Sequence, residues 1–151
     1  MICCVIGVGN DMRGDDGVGL VVARRLADET GEHVRVLECE GEPVSLLAAW
    51  EGCDCALVID ATRSGATAGA IRRIAAHEGP LPAALSGSST HLLGIADAIE
   101  LARALGRLPE RTIVYGIEGA TFAAGDDLSE PVAEAAERVV AAIRRELENE
   151  A

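Results

Sequence analysis

Two carboxylates and one imidazole, Asp16, Asp60 and His91, are the side chains of this sequence best suited to chemistry. Asp16 is the last acid of the stretch Gly7-Val8-Gly9-Asn10-Asp11-Met12-Arg13-Gly14-Asp15-Asp16-Gly17. Asp60 ends the apolar run 55–60, CALVID, and is followed by Ala61-Thr62. A carboxylate at the end of a buried run is either hydrogen-bonded to loop amides or reserved for a cation. His91 is read at the end of a polar loop, Ser86-Gly87-Ser88-Ser89-Thr90-His91, that leads into the 92–105 helix, where a neutral imidazole is a ready metal ligand or proton carrier. Together the three form an O,O,N donor set that suits a borderline divalent ion such as nickel, zinc or iron. Their spacing alone does not establish that they meet. Ser88 and Ser89 lack the G-x-S-x-G setting of an esterase nucleophile, so they are read as loop-fixing or helix-capping residues. His33 and His77, among charged or small residues, are read as solvated.

The glycine-rich turn has a competing reading as a dinucleotide site, with Glu38 ending the next strand as a ribose-binding acid would. Met12 stands where the third glycine belongs. Asp11, Asp15 and Asp16 crowd a place where a pyrophosphate needs bare N–H groups and positive potential. The plain alternative, acids placed to suit a helix dipole, covers Asp15 but not the adjacent pair.

The elements that must carry these residues alternate in period. Residues 2–8, ICCVIGV, 55–60 and 112–117, TIVYGI, are short apolar runs that read as buried strands, and 33–38, HVRVLE, alternates. Residues 69–75, GAIRRIA, read as an edge strand because Arg72 and Arg73 suit exposure. Helices are expected over 16–28, over 44–50 after Pro43, and over 92–105, the last with Leu92, Ile95, Ala96, Ile99, Ala102 and Leu105 on one face and Gly106 as its stop. A last helix starts after Ser129 as its cap. Strands alternating with helices predict an α/β fold with a sheet covered on both faces. Sites in such sheets lie beyond the carboxyl ends of strands, at a switch in strand order, which singles out the loops after Val8, Ile59 and Ile117.

The 151 residues suit one domain, 1–151, and 49% hydrophobic content with 25% charged residues excludes a disordered chain. The net charge of −12 argues against nucleic acid and against a polybasic membrane anchor, and is compatible with a cationic partner. All 13 basic residues are Arg. With no Lys, a Walker phosphate loop, a Schiff-base lysine and a Ser-Lys dyad are excluded. No apolar run reaches the roughly 18 residues that span a bilayer, and the first residues lack the pattern of a signal peptide, so a cytoplasmic protein is expected. The five cysteines, Cys3, Cys4, Cys39, Cys53 and Cys55, are odd in number and lack C-x-x-C spacing. They are expected to be free thiols that neither pair nor ligate a metal.

The motifs resemble those of the hydrogenase maturation endopeptidases, nickel-dependent proteases that trim the large subunit of nickel–iron hydrogenases. The matching pieces are Gly7-Val8-Gly9-Asn10 with Gly14-Asp15-Asp16-Gly17-Val18-Gly19, then Val58-Ile59-Asp60-Ala61, then Ser89-Thr90-His91 with Gly94. They recur in order over essentially the whole chain. The resemblance implies a three-layer α/β/α sandwich whose mixed five-stranded sheet has order 2-1-3-5-4, with strand 4 antiparallel. It maps the family's metal-contacting residues onto Asp16, Asp60 and His91, and leads us to expect substrate contacts at Asn10 and Glu38. It departs at Glu38-Cys39-Glu40-Gly41-Glu42-Pro43, where many members carry Gly-Gly-Thr, so the turn here is more acidic and stiffer.

The implied substrate is a hydrogenase large-subunit precursor with nickel already in place, cut just beyond its last metal-binding motif. The nickel would come from the substrate, and no organic cofactor is implied. Two other classes compete. A conventional metallopeptidase would hold its own zinc, and a non-catalytic sensor would bind metal or precursor without cutting.

Overall fold

The computed structural model describes residues 1–29, 31–81 and 90–150, without the side chains of 90–93 and 150. The expected loop around Ser86–Ser89 lies outside the described residues. Strands β1 (Cys3–Val8), β2 (Val34–Cys39), β3 (Cys55–Thr62), β4 (Ile71–Ala75) and β5 (Arg111–Glu118) form one sheet of order β2-β1-β3-β5-β4. β1 runs parallel to β2 and β3, and β3 runs parallel to β5. β4 is antiparallel to β5 at the edge, as its arginine pair and the family resemblance imply. β1 and β3 are buried along their whole length, which is why both read as unbroken apolar runs.

Helices α1 (Val18–Ala27) and α4 (Glu130–Glu150) cover one face of the sheet, and α2 (Pro43–Ala49) and α3 (Thr90–Ala104) cover the other. Alternation along each strand divides the core accordingly. Cys3, Val5, Leu57, Ile59, Ile113 and Tyr115 face α1 and α4. Cys4, Ile6, Val8, Ala56, Val58 and Val114 face α2 and α3. The first helix departs from its expected start. Residues 14–17 form a 3-10 turn, and α-helix begins only at Val18. α1 then lies close on the sheet because Gly19 has no side chain. A Cβ there would stand 2.3 Å from the Ile59 carbonyl oxygen and 2.5 Å from that of Val8.

Four other expectations need correction. The buried face of α3 is Ile95, Ala98, Ile99 and Ala102, whereas Leu105 is exposed. The helix ends at Ala104, and Gly106 at φ +68° turns the chain, with the Arg107 N–H donating to the Ala102 carbonyl at 2.8 Å. His77 is half-buried rather than solvated, its Nδ1 accepting the Thr112 N–H at 3.1 Å. Ser129 gives its hydroxyl hydrogen to Asp15 rather than serving only as a helix cap. Cys4 and Cys53 form a disulfide with a Cα–Cα separation of 6.2 Å, and Cys3, Cys39 and Cys55 lie outside it. The pairing of β1 with β3 carries Cys53, two residues before β3, to the side of Cys4, within the separation a disulfide requires.

Candidate functional site at the carboxyl edge of the sheet

Strand order reverses between β1 and β3, and the chain leaves both strands on the same edge. Beyond β1, Gly9 at φ +148° turns so tightly that a Cβ would stand 2.0 Å from the Asp16 carbonyl oxygen. This turn folds Asp16 back over the strand end. The Asn10 N–H donates to the Asp16 carbonyl at 3.3 Å and to its Oδ2 at 3.1 Å. The Asn10 side chain closes the turn from the other side, its Oδ1 accepting the Met12 N–H at 2.9 Å. Asp16 is half-buried and Asn10 exposed.

Asp60 follows the last β1–β3 pair, Gly7 with Ile59. β3 continues two residues past it, to Thr62, on pairing with β5 alone. Asp60 therefore clears the end of β1 while its backbone stays fixed opposite Gly116. It is fully buried, and its Oδ1 accepts the Ala61 N–H at 2.8 Å. The 3-10 turn bearing Asp16 packs on β3. Asp16 and Asp60 thus stand at the ends of neighbouring strands at the switch point, where the sequence places them. α3 begins at Thr90, so His91 lies in its first turn rather than in the loop before it that the sequence suggests. Three residues on, Gly94 passes so close to the β2–α2 turn that a Cβ would stand 2.1 Å from the Gly41 carbonyl oxygen. The His91 side chain is outside the described set. Among the described residues no three His, Cys, Asp or Glu side chains form a group that could hold a metal ion. The donor types at Asp16, Asp60 and His91 nonetheless suit a borderline divalent ion.

Glu38 and Asn10 lie on the β1–β2 side of this edge. Glu38 is engaged by Arg24, whose Nε and second guanidinium nitrogen donate to its two oxygens at 3.1 and 2.8 Å. Cys39 ends β2 opposite Val8. Burial pushes its thiol pKa up, against a hydrogen bond from the Gly41 backbone, and the negative charges of Asp60 and Glu40 push it further up.

Two buried carboxylates at this edge do more than the sequence suggests, where Asp15 reads only as an acid suiting a helix dipole and Glu118 has no role. Asp15 is fully buried, with Oδ1 accepting the Ser129 N–H at 2.7 Å. Its Oδ2 accepts the N–H groups of Ala120 and Thr121 at 2.7 and 2.9 Å and the Ser129 hydroxyl at 2.9 Å. Burial raises the Asp15 pKa, but these four bonds outweigh it and hold the carboxyl below its ordinary value. Glu118, at the end of β5, accepts the Thr62 hydroxyl at 2.9 Å, the Ser64 N–H and hydroxyl, and the Gly65 N–H. The signal for both was present: a second acid beside Asp16, and an acid following a buried apolar run as Asp60 does. On the β5 side, the Arg63 guanidinium lies 3.9 Å from the centroid of the Phe122 ring.

Comparison with known proteins follows the same outline. HupM of Azotobacter chroococcum, a hydrogenase expression/formation protein, is 26% identical over 131 residues, covering 85% of this chain and 63% of its own. HupD of Rhodobacter capsulatus, of the same description, is 28% identical over 116 residues, covering 76% of this chain and 55% of its own. The chain therefore spans about 55–63% of the length of these curated relatives. The hydrogenase maturating endopeptidase HybD from Escherichia coli superposes with a TM-score of 0.76 at 25% identity, over 97% of this chain and 94% of that one. The nickel–iron hydrogenase maturation protease HybD from Thermococcus kodakarensis gives 0.79 at 25% identity, over 96% and 98%. The family model described as hydrogenase maturation protease matches residues 20–146, from α1 through most of α4. With the sheet order and this match in agreement, the chain belongs to the hydrogenase maturation protease family.

Proposed function

We propose that this chain is an endopeptidase that removes the C-terminal extension of a nickel–iron hydrogenase large-subunit precursor once nickel has been inserted. The observation that carries this reading is the position of Asp16 and Asp60 at the ends of β1 and β3, in a chain of this family. Asp16 and Asp60 supply oxygen donors and His91 a nitrogen donor to the nickel of the substrate. Three such donors leave coordination positions for the precursor's own ligands. The Asn10 N–H fixes the Asp16 carboxylate, and burial within β3 fixes Asp60, so neither has to reorganise when the ion arrives. The nickel of the substrate would supply the hydrolytic power by polarising either the attacking water or the scissile carbonyl, with His91, Asp16 and Asp60 the candidates to take the proton of that water and pass it to the leaving amine. Asn10 and Glu38 contact the precursor along the β1–β2 side. The charge of −12 draws in a cationic, metal-loaded segment.

The test compares nickel-loaded and nickel-free precursor with the same enzyme, read by mass. Trimming of the loaded form alone is expected. Equal cleavage of both would overturn the reading and favour an ordinary metallopeptidase. Binding without any mass change would favour a sensor. Asp16→Asn and His91→Ala should each abolish processing while the circular dichroism spectrum stays unchanged.

A further inference from the structure

We infer that Asp15 is a positioning residue for the reaction, setting the place of Asp16 by fastening the β5–α4 loop to the 3-10 turn. This inference rests on the assignment of Asp16 to the site.

The two segments are joined at several points, and Asp15 is the centre of the joint. Its carboxylate accepts hydrogen bonds from Ala120, Thr121 and Ser129, residues 105 to 114 positions away in the chain. Its own N–H donates to the Thr121 carbonyl at 2.7 Å. On either side, the Gly14 N–H donates to the Asp126 carbonyl at 3.1 Å and the Gly125 N–H to the Met12 carbonyl at 2.9 Å. The loop carrying Asn10 and Asp16 is therefore held on its outer side by residues 120–129 and on its inner side by the Asn10–Asp16 hydrogen bond.

A charged group buried this completely is an inefficient source of stability, because a well-packed apolar side chain serves stability as well or better. It does fix geometry, since four donors aimed at two oxygens allow only one arrangement. Asp15 and Asp16 are consecutive, so a shift of the joint is transmitted directly to the Asp16 carboxylate. A displacement of about 1 Å at a reacting group lowers a rate on the order of a hundredfold.

The experiment uses Asp15→Asn, which keeps the shape but offers one acceptor where two stood. At a temperature well below its unfolding midpoint, the kcat for nickel-loaded precursor should fall about tenfold or more with KM nearly unchanged. In parallel, the Asn10 amide should exchange with solvent faster, because its bond to Asp16 Oδ2 reports the position of that carboxylate. A residue that only stabilises the fold would lower the midpoint and move neither readout. Wild-type kcat and Asn10 protection in the variant would overturn the inference. If Asp15→Asn does not fold, Ser129→Ala replaces it, removing one of the four bonds. A kcat lowered threefold or more with faster Asn10 exchange supports the inference, and wild-type values overturn it. Asp16→Asn is measured alongside. If it is fully active, the site assignment itself has failed. If it is inactive while Asp15→Asn is normal, only the positioning role has failed.

Discussion

Arg24 on α1 grips Glu38 at the end of β2 through two hydrogen bonds of 3.1 and 2.8 Å, and its remaining guanidinium nitrogen reaches Asp11 at 3.0 Å. One cation thus ties the loop after β1 to the end of β2 on the side assigned to substrate. Both ion pairs are well exposed, with side chains 41–50% accessible, so screening by water leaves each worth only about 0–1 kcal/mol. Arg24→Ala should therefore change stability by about 1 kcal/mol or less in urea titration, while altering the KM for precursor because Glu38 and Asp11 lose their fixed positions. A large stability loss with unchanged KM would contradict this role.

Stability should fall at both ends of the pH scale because of one cluster between α4 and the sheet. Glu146 accepts hydrogen bonds from Arg73 at 2.6 Å, from Arg111 at 2.9 Å and from the Tyr115 hydroxyl. Burial raises the Glu146 pKa, but these donors outweigh it and hold the carboxyl below its ordinary 4.5. Its contribution is thus complete above 4.5 and is lost as pH falls through the depressed folded value. Tyr115 is pushed up to about 12, first by burial and then by Glu146, so its contribution is complete below the ordinary 10 and is lost as pH rises through about 12. Glu146→Gln should cost about 1–3 kcal/mol at neutral pH, less than for a fully buried pair because Arg73 and Arg111 stay partly hydrated. It should also flatten the acid limb, and Tyr115→Phe the alkaline one, in denaturation midpoints measured from pH 2 to 12. Unchanged limbs would remove the cluster from the account.

The contrast between Asp16 and its neighbour Asp15 shows what the sequence makes legible. Asp16, Asp60 and the edge position of β4 follow from local signals: apolar runs ending in an acid, and an arginine pair on a short strand. Strand order came through the family resemblance, since no local pattern encodes which strands pair. The hub at Asp15, the Thr62–Glu118 bond, the His77–Thr112 contact and the Cys4–Cys53 disulfide each join residues 35 to 114 positions apart. Their chemistry exists only after the sheet has formed. The late start of α1 has the same origin. Residues 14–17 serve the Asp15 joint and adopt a 3-10 turn where periodicity suggests α-helix.

The disulfide makes thiol chemistry a direct check. Unfolded without reductant, the chain should titrate three thiols, Cys3, Cys39 and Cys55. Reduction should lower stability by about 2–4 kcal/mol, the range for closing a loop of this size, since the bridged residues are 49 positions apart. In the folded protein Cys39 should be the first to react, being half-buried while Cys3 and Cys55 are buried. Its alkylation at neutral pH should still be slow, because burial and the charge of Asp60 disfavour the thiolate. Five titratable thiols in the unfolded, unreduced chain would contradict the bridge.

Gly94→Ala tests how α3 presents His91. An alanine inside an exposed helix normally gains up to about 1 kcal/mol over glycine. Here the added Cβ would stand 2.1 Å from the Gly41 carbonyl oxygen, and the opposing atom is backbone, which cannot swing aside as a side chain does. Overpacking of this kind costs about 1–3 kcal/mol, so the net effect should be loss of stability despite the better helix former. The helix must also lift from the β2–α2 turn, carrying the first turn and His91 with it. Processing of nickel-loaded precursor should then drop at least tenfold at temperatures where the variant is fully folded, whereas Leu101→Ala, at an exposed position further along the same helix, should leave it unchanged. A Gly94→Ala protein that is both more stable and fully active would show that α3 need not sit against Gly41 for His91 to act.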